Sequence, residues 1–200
     1  MPNSTYYDGD LRRDLLDAAV RQIAVEGPTG VSLRALAKQI GVSHAAPANH
    51  FRSKQALYTA LATEGFARLS SAFESAVSTV DAESAVDVLH AGGRAYIDFG
   101  LDNPGYFAVM WRNDLLDNQD ATLVAAGRRT FEFLVAGVGY AQSQGWAAGL
   151  DQEAVATTLW SAVHGFTALW LLGPLAEMLP RTREELTNQL TATLLSVGSS

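Results

Sequence analysis

Apolar residues recur at intervals of three and four along nearly the whole chain, and polar and apolar positions do not alternate over any strand-length stretch. The pattern predicts an all-α protein of about nine helices, punctuated by glycine and proline. A first helix over residues 11–26 carries the stripe Leu15, Ala18, Ala19, Ile23 and ends at Gly27-Pro28. Ser32 opens a short helix over 32–40, closed by Gly41. Ser43 opens another over 43–51, and Ser53 a long one running to about Val77, because a serine hydroxyl accepts from the orphan N–H groups of a first turn. Five more helices are expected over 82–101, 104–117, 120–145, 151–172 and 181–197. Pro104 suits a first turn, where its missing donor is harmless, and Asp151-Gln152-Glu153 places negative charge where the helix dipole favours it. The punctuation divides the chain into a head (1–53), a connecting helix (54–80) and a body (81–200), with no internal repeat.

Composition narrows the chemistry. With 200 residues, 48% of them apolar, the chain has enough material for a substantial core without external staples. It has no cysteine, which excludes disulfides, thiolate zinc sites and catalytic thiols. His44, His50, His90 and His164 lack the short repeated spacing of a metal site, so neither a metal nor another cofactor is expected. The N-terminus shows no charged and apolar leader, and no stretch reaches the roughly 18 uncharged apolar residues of a membrane span, so the expectation is a cytoplasmic protein with no membrane partner.

The net charge of −7 is unevenly placed. Residues 1–60 carry seven basic side chains against five acidic ones, and the remainder seven against sixteen. Phosphate attraction acts within a Debye length of about 10 Å, so a mildly basic head on an acidic body is compatible with DNA binding. Random scatter of charge would give the same asymmetry.

The stretch 32–51 holds the most specific pattern. Ala37 and Gly41, four apart, supply a small residue for close helix approach and a glycine for chain reversal, while Leu33, Leu36, Ile40 and Val42 provide a shared apolar core. This is the layout of a helix-turn-helix, whose second helix enters the major groove; the Ala-x-x-x-Gly match taken alone is better read as an αα-hairpin of pure packing. Ser43 is expected to cap that second helix, with His44, Ala45 and Ala46 in the turn that meets base edges and Pro47 stiffening it. Asn49 is the candidate for polar readout, since an amide pairs bidentately with adenine. Ser32 and Arg34 at one helix start and Lys54 at another are placed for phosphates, with His50 alongside, and Phe51 reads as core.

One helix, two short helices, then His50-Phe51-Arg52-Ser53-Lys54-Gln55 opening a long helix resembles the N-terminal domain of the TetR family of transcriptional regulators, over about residues 11–60. Trp160-Ser161-Ala162-Val163-His164-Gly165 is similar to the Trp, His, Gly signature of one C-terminal subgroup of that family, and Asn103-Pro104-Gly105-Tyr106-Phe107 to a loop common in it. The resemblance implies a homodimer that binds a palindromic operator, a repressor's action, and an effector cavity in a C-terminal ligand-binding and dimerisation domain. One position departs from it. Ala48 stands where the family usually has a tyrosine that touches phosphate, so either affinity is weaker or Asn49, His50 and Arg52 share the load.

For the implied cavity the candidates are Phe66, Tyr96, Phe99, Phe107, Met110, Trp111, Phe131, Trp160 and His164, which suit an apolar or aromatic ligand; aromatics at helical spacing are also ordinary core. Trp160 and His164 share a helix face, pointing into a cavity or satisfying a buried hydrogen bond. The stripe Leu159, Ala162, Phe166, Leu169 and the positions Leu186, Leu190, Leu194 match what two helices would bring to a dimeric four-helix bundle. The alternative reading is a helical enzyme or small-molecule-binding protein with an incidental helix-turn-helix pattern. No catalytic residue is assigned, because carboxylates such as Glu177, Glu184 and Glu185 sit on solvated faces with no motif linking them to a histidine.

Overall fold

The stripe expected on the first helix faces inward, with Leu15, Ala18, Ala19 and Ile23 at most 2% exposed in the computed structural model, which describes residues 4–80 and 84–196. The expected helix start at Ala82, the end at Val197 and the opening Met1-Pro2-Asn3 lie outside the described residues. Among those described there are nine α-helices and no strand: α1 Ser4–Glu26, α2 Leu33–Gln39, α3 Lys54–Ser78, α4 Ala85–Asp102, α5 Pro104–Met110, α6 Ala121–Ser143, α7 Gln152–Leu172, α8 Leu175–Met178 and α9 Arg183–Ser196. Short 3₁₀ turns occupy Pro28–Gly30 and Ala46–Asn49.

Local chemistry accounts for most of the boundaries. Ser32 accepts from the Ala35 N–H at 3.1 Å and Ser53 from Ala56 at 3.0 Å, capping α2 and α3 as their sequences predict, while Asp151, expected within a first turn for its charge, instead caps α7 by accepting from Ala154 at 2.8 Å. Gly41, at φ +77°, reverses the chain after α2, and the Val42 N–H reaches the Ala37 carbonyl at 3.0 Å. Helix α1 starts at Ser4 rather than Leu11; once nucleated by the apolar stripe, a helix propagates into flanking residues that carry no stripe of their own.

Four expectations are corrected. The helix predicted over 43–51 is only the 3₁₀ turn Ala46–Asn49, in which Ala46, Ala48 and His50 donate three residues back. Pro47 has no N–H, and its ring opposes the four-back carbonyl that an α-helix would bring against it, so the tighter winding prevails. Ser43 does not cap it; the turn starts after Ala45 with no side-chain cap, and Ser43 serves through its backbone carbonyl, 3.0 Å from the Ala46 N–H. The helix predicted over 104–117 stops at Met110, since side chains claim the following backbone: Gln55 donates to the Leu116 carbonyl at 3.1 Å, the Asp117 N–H donates to Thr59 at 2.9 Å, and Asn118 donates to the Asn113 carbonyl at 2.8 Å. Finally, the loop before the last helix contains the single turn α8.

The chain forms two compact units, Met1–Phe66 with Asn103–Ala126, and Ala67–Asp102 with Gly127–Ser200. In the first, α1, α2 and the start of α3 bury Leu15, Leu16, Leu36, Phe51, Leu57 and Leu61, and α5 lies directly on α1. A Cβ on Gly105 would stand 2.2 Å from the Val20 carbonyl oxygen, so only glycine permits this approach. In the second, α4 packs on α7 and α9, and a cluster of Leu89, Val138, Ala141, Trp146, Ala156 and Leu195 forms the core. The Trp146 indole N–H donates to the Leu195 carbonyl at 2.8 Å, and Arg183 ties α9 to α4 through Asp98 and Asp102, each at 2.7 Å. Those two carboxylates hold the Arg183 guanidinium well above the usual arginine range.

Candidate functional site

The predicted DNA-reading residues collect around α2, Gly41 and the 3₁₀ turn of the first unit. Arg34, Ser43, His44, Ala45 and Asn49 are exposed, Ala46 and His50 are half-buried, and Pro47 is buried beneath them. Ser32 is exposed while its hydroxyl caps α2. The turn is closed from below: the Phe51 N–H donates to the Pro47 carbonyl at 2.8 Å, and the Arg12 guanidinium lies 5.4 Å from the centre of the buried Phe51 ring. Lys54 is held by its own unit, donating to the Thr29 carbonyl at 3.1 Å with its ammonium 5.3 Å over the Tyr58 ring. Lys38 and Arg52 add exposed positive charge nearby in the chain.

The nine residues predicted to line a cavity fall into both units. Phe66, Phe107, Met110 and Trp111 belong to the first, where Phe66 meets Trp111 edge-on at 5.1 Å, Phe107 meets Trp111 at 6.3 Å, and Met110 is 2% exposed beside Gly65. Tyr96, Phe99, Phe131, Trp160 and His164 belong to the second. There the Trp160 indole N–H donates to the Tyr96 hydroxyl at 3.3 Å, and that hydroxyl stands 2.7 Å from His164 Nδ1. Indole is a donor only, so the Tyr96 hydroxyl accepts from it, while the direction of its bond to Nδ1 follows the imidazole tautomer. Burial pushes the Tyr96 hydroxyl up and the His164 imidazole down, keeping both neutral. Phe131 rests on Trp160 at 5.6 Å, and Phe73 stacks between Tyr96 and Phe133 at 6.5 and 5.3 Å.

None of the nine lines the open groove of about 660 Å³ in the second unit. Its walls are Ala72, Ser75, Ala76 and Thr79 of α3 with its neighbour Val80, and Asp87, His90, Ala91, Arg94, Ala95 and Asp98 of α4. In the sequence these α4 positions read as an ordinary solvated face, so nothing local marked them. Among the described residues no group of three or more His, Cys, Asp or Glu side chains is arranged to hold a metal.

Helix α7 buries only the narrow stripe Ala156, Val163, Thr167. Leu159, Ala162 and Phe166 are half-buried and Leu169 is 54% exposed; Leu172, further along, is 84% exposed, and on α9 Leu186, Leu190 and Leu194 are half-buried. By length and composition alone, α7 is the one described helix apolar enough to cross a membrane, with 17% of its apolar window buried.

Comparison with known proteins finds two family matches along the chain. Residues 15–61 match the bacterial regulatory proteins of the tetR family, and residues 89–194 match the tetracyclin repressor-like C-terminal domain. A protein of Bacillus subtilis (strain 168), described as an uncharacterized HTH-type transcriptional regulator, YobS, is 30% identical over 169 residues, or 80% of this chain and 79% of its own. A Rhodococcus sp. RHA1 protein solved as one of unknown function is 33% identical, with a TM-score of 0.82 over 95% of this chain and 96% of that one. AibR, solved with isovaleryl coenzyme A and operator DNA, is 19% identical with a TM-score of 0.72 over 92% of this chain and 97% of its own, a likeness of fold.

Proposed function

The chain belongs to the TetR family of transcriptional regulators, and from that we propose that it is a repressor, not an enzyme, that binds a palindromic operator as a homodimer and is released by a small apolar or aromatic effector. One observation carries the DNA-binding part: exposed Arg34, Ser43, His44, Ala45 and Asn49 gather on α2 and the turn after Gly41, within the stretch that matches the family's head. In this reading Asn49 pairs with a base edge, while Ser32, Arg34, His50 and Lys54 position the head on phosphates. Work on operator DNA places the protein in the cytoplasm.

The apolar face of α7, with the leucines of α9, is the subunit face; a second copy covering it removes Leu169 and Leu172 from water at about 25 cal/mol per Å² of apolar surface. The effector is read by the Trp160–Tyr96–His164 chain with Phe131 against Trp160, a few oriented polar groups beside aromatic rings. The AibR structure supports this kind of regulation, since that protein was captured with both a small molecule and its operator.

Selection from random-sequence DNA tests the proposal. The expected product is a near-palindrome with half-sites about one helical turn apart or slightly more, bound by a dimer. A chain that sediments as a monomer at micromolar concentration, or that enriches no sequence, refutes it.

A further inference from the structure

We propose that Glu64 and Gly105 are positioning residues for operator recognition, locking α5 to α1 and α3 so that α5 sets the attitude of the reading turn; the link to the operator rests on the DNA-binding function proposed above. By sequence order α5 belongs between α4 and α6, yet it is part of the first unit. At its start the absent Gly105 side chain brings it onto the Val20 carbonyl, a backbone neighbour that cannot swing aside. One turn of contacts further, a single carboxylate oxygen joins three helices: Glu64 Oε1 of α3 accepts from Arg13 of α1 at 2.8 Å and from the Tyr106 hydroxyl of α5 at 2.7 Å. Arg13 also pairs with Asp17 and lies 3.5 Å from the Tyr106 oxygen, and these partners keep its guanidinium charged throughout the accessible pH range. Gly65, next in the chain, admits Met110 and Tyr106 against α3.

The latch reaches the reading turn through one peptide bond. Arg12, the neighbour of Arg13, lies over the Phe51 ring, and the Phe51 N–H closes the turn on Pro47. Fixing Arg13 on Glu64 therefore fixes where Arg12 holds Phe51, and with it the exposed His44, Ala45 and Asn49 above. Neither Glu64 nor Gly105 is among the exposed residues of that face, so each acts through others.

The test compares Glu64→Gln and Tyr106→Phe with the parent chain by two readouts. Amide hydrogen exchange at His50 and Phe51 needs no DNA and is expected to rise about tenfold in both variants, the equivalent of one weakened charged hydrogen bond. On an operator selected by the parent chain, both variants are expected to lose about tenfold in affinity for the full palindrome while the preferred bases stay the same. Gly105→Ala should exceed both, and because it risks misfolding the two conservative variants decide. If they lower the melting temperature but leave exchange at His50 and Phe51 at the parent value, the latch is only a structural tie and the proposal falls. A parent chain that selects no operator overturns the DNA-binding function instead, and exchange still reports whether the latch holds the turn.

Discussion

In the first unit Phe66 and Phe107 each meet Trp111 ring against ring, with Met110 buried beside Gly65, whereas in the second Trp160, Tyr96 and His164 are joined by hydrogen bonds in a chain. Both groups are rich in aromatic rings and both lie on helices or at their ends, yet they use their surroundings differently. Ring packing depends on filled volume and is lost in proportion to the atoms removed. A buried polar chain depends on every member, because a donor or acceptor deprived of its partner keeps its desolvation cost. The first group therefore serves as the mortar of the DNA-binding unit, and the second combines stability with groups able to orient a guest.

The largest effect expected from this contrast is on packing. Phe107→Ala should destabilise the protein by about 3–5 kcal/mol in urea unfolding, since Phe107 is 5% exposed and leaves a cavity between α5 and its neighbours. A cost below about 1 kcal/mol would mean that the first group is loosely packed, and the contrast would break there. A smaller effect is expected for Tyr96→Phe, which keeps the ring but strips the hydroxyl that serves both Trp160 and His164; its cost should be about 1–3 kcal/mol. A double-mutant cycle with His164→Gln sharpens the point, because members of one hydrogen-bonded chain must couple. Additivity of Tyr96 with His164 would show that the hydrogen bond carries no energy.

The mildest test is pH. Burial lowers the His164 pKa below its unfolded value of about 6.5, so the unfolded chain binds the proton more readily. The stability contributed by the neutral imidazole is present above that unfolded value and is lost as pH falls through the lower folded one. His164→Gln should accordingly flatten the fall in stability between about pH 7 and 5, read as the difference between the two chains' curves so that the other histidines cancel. An unchanged slope would place the imidazole in contact with water in both states.

What the sequence determined by itself is whatever neighbouring residues can settle among themselves. The inward stripe of α1, the glycine reversal at Gly41 and the caps at Ser32 and Ser53 depend on hydrogen bonds and side chains within a few residues, which is why they were legible, although the same serine pattern failed at Ser43. Pro47 was legible too, as a stiffener, though the balance between an α-helical and a 3₁₀ turn rests on which carbonyl each N–H can reach. Tertiary structure decided the rest. Apolar spacing says that a helix has an inward face without saying which partner it meets, so only the folded chain could assign α5 to α1, divide the nine aromatic-site candidates between two units, and set Tyr96 against His164. The latch at Glu64 has the same origin: Gly105 and Tyr106 stand out only as part of a family-like loop and Arg13 and Glu64 not at all, and the four acquire their role because a missing Cβ and one carboxylate oxygen draw three separate helices within hydrogen-bonding distance.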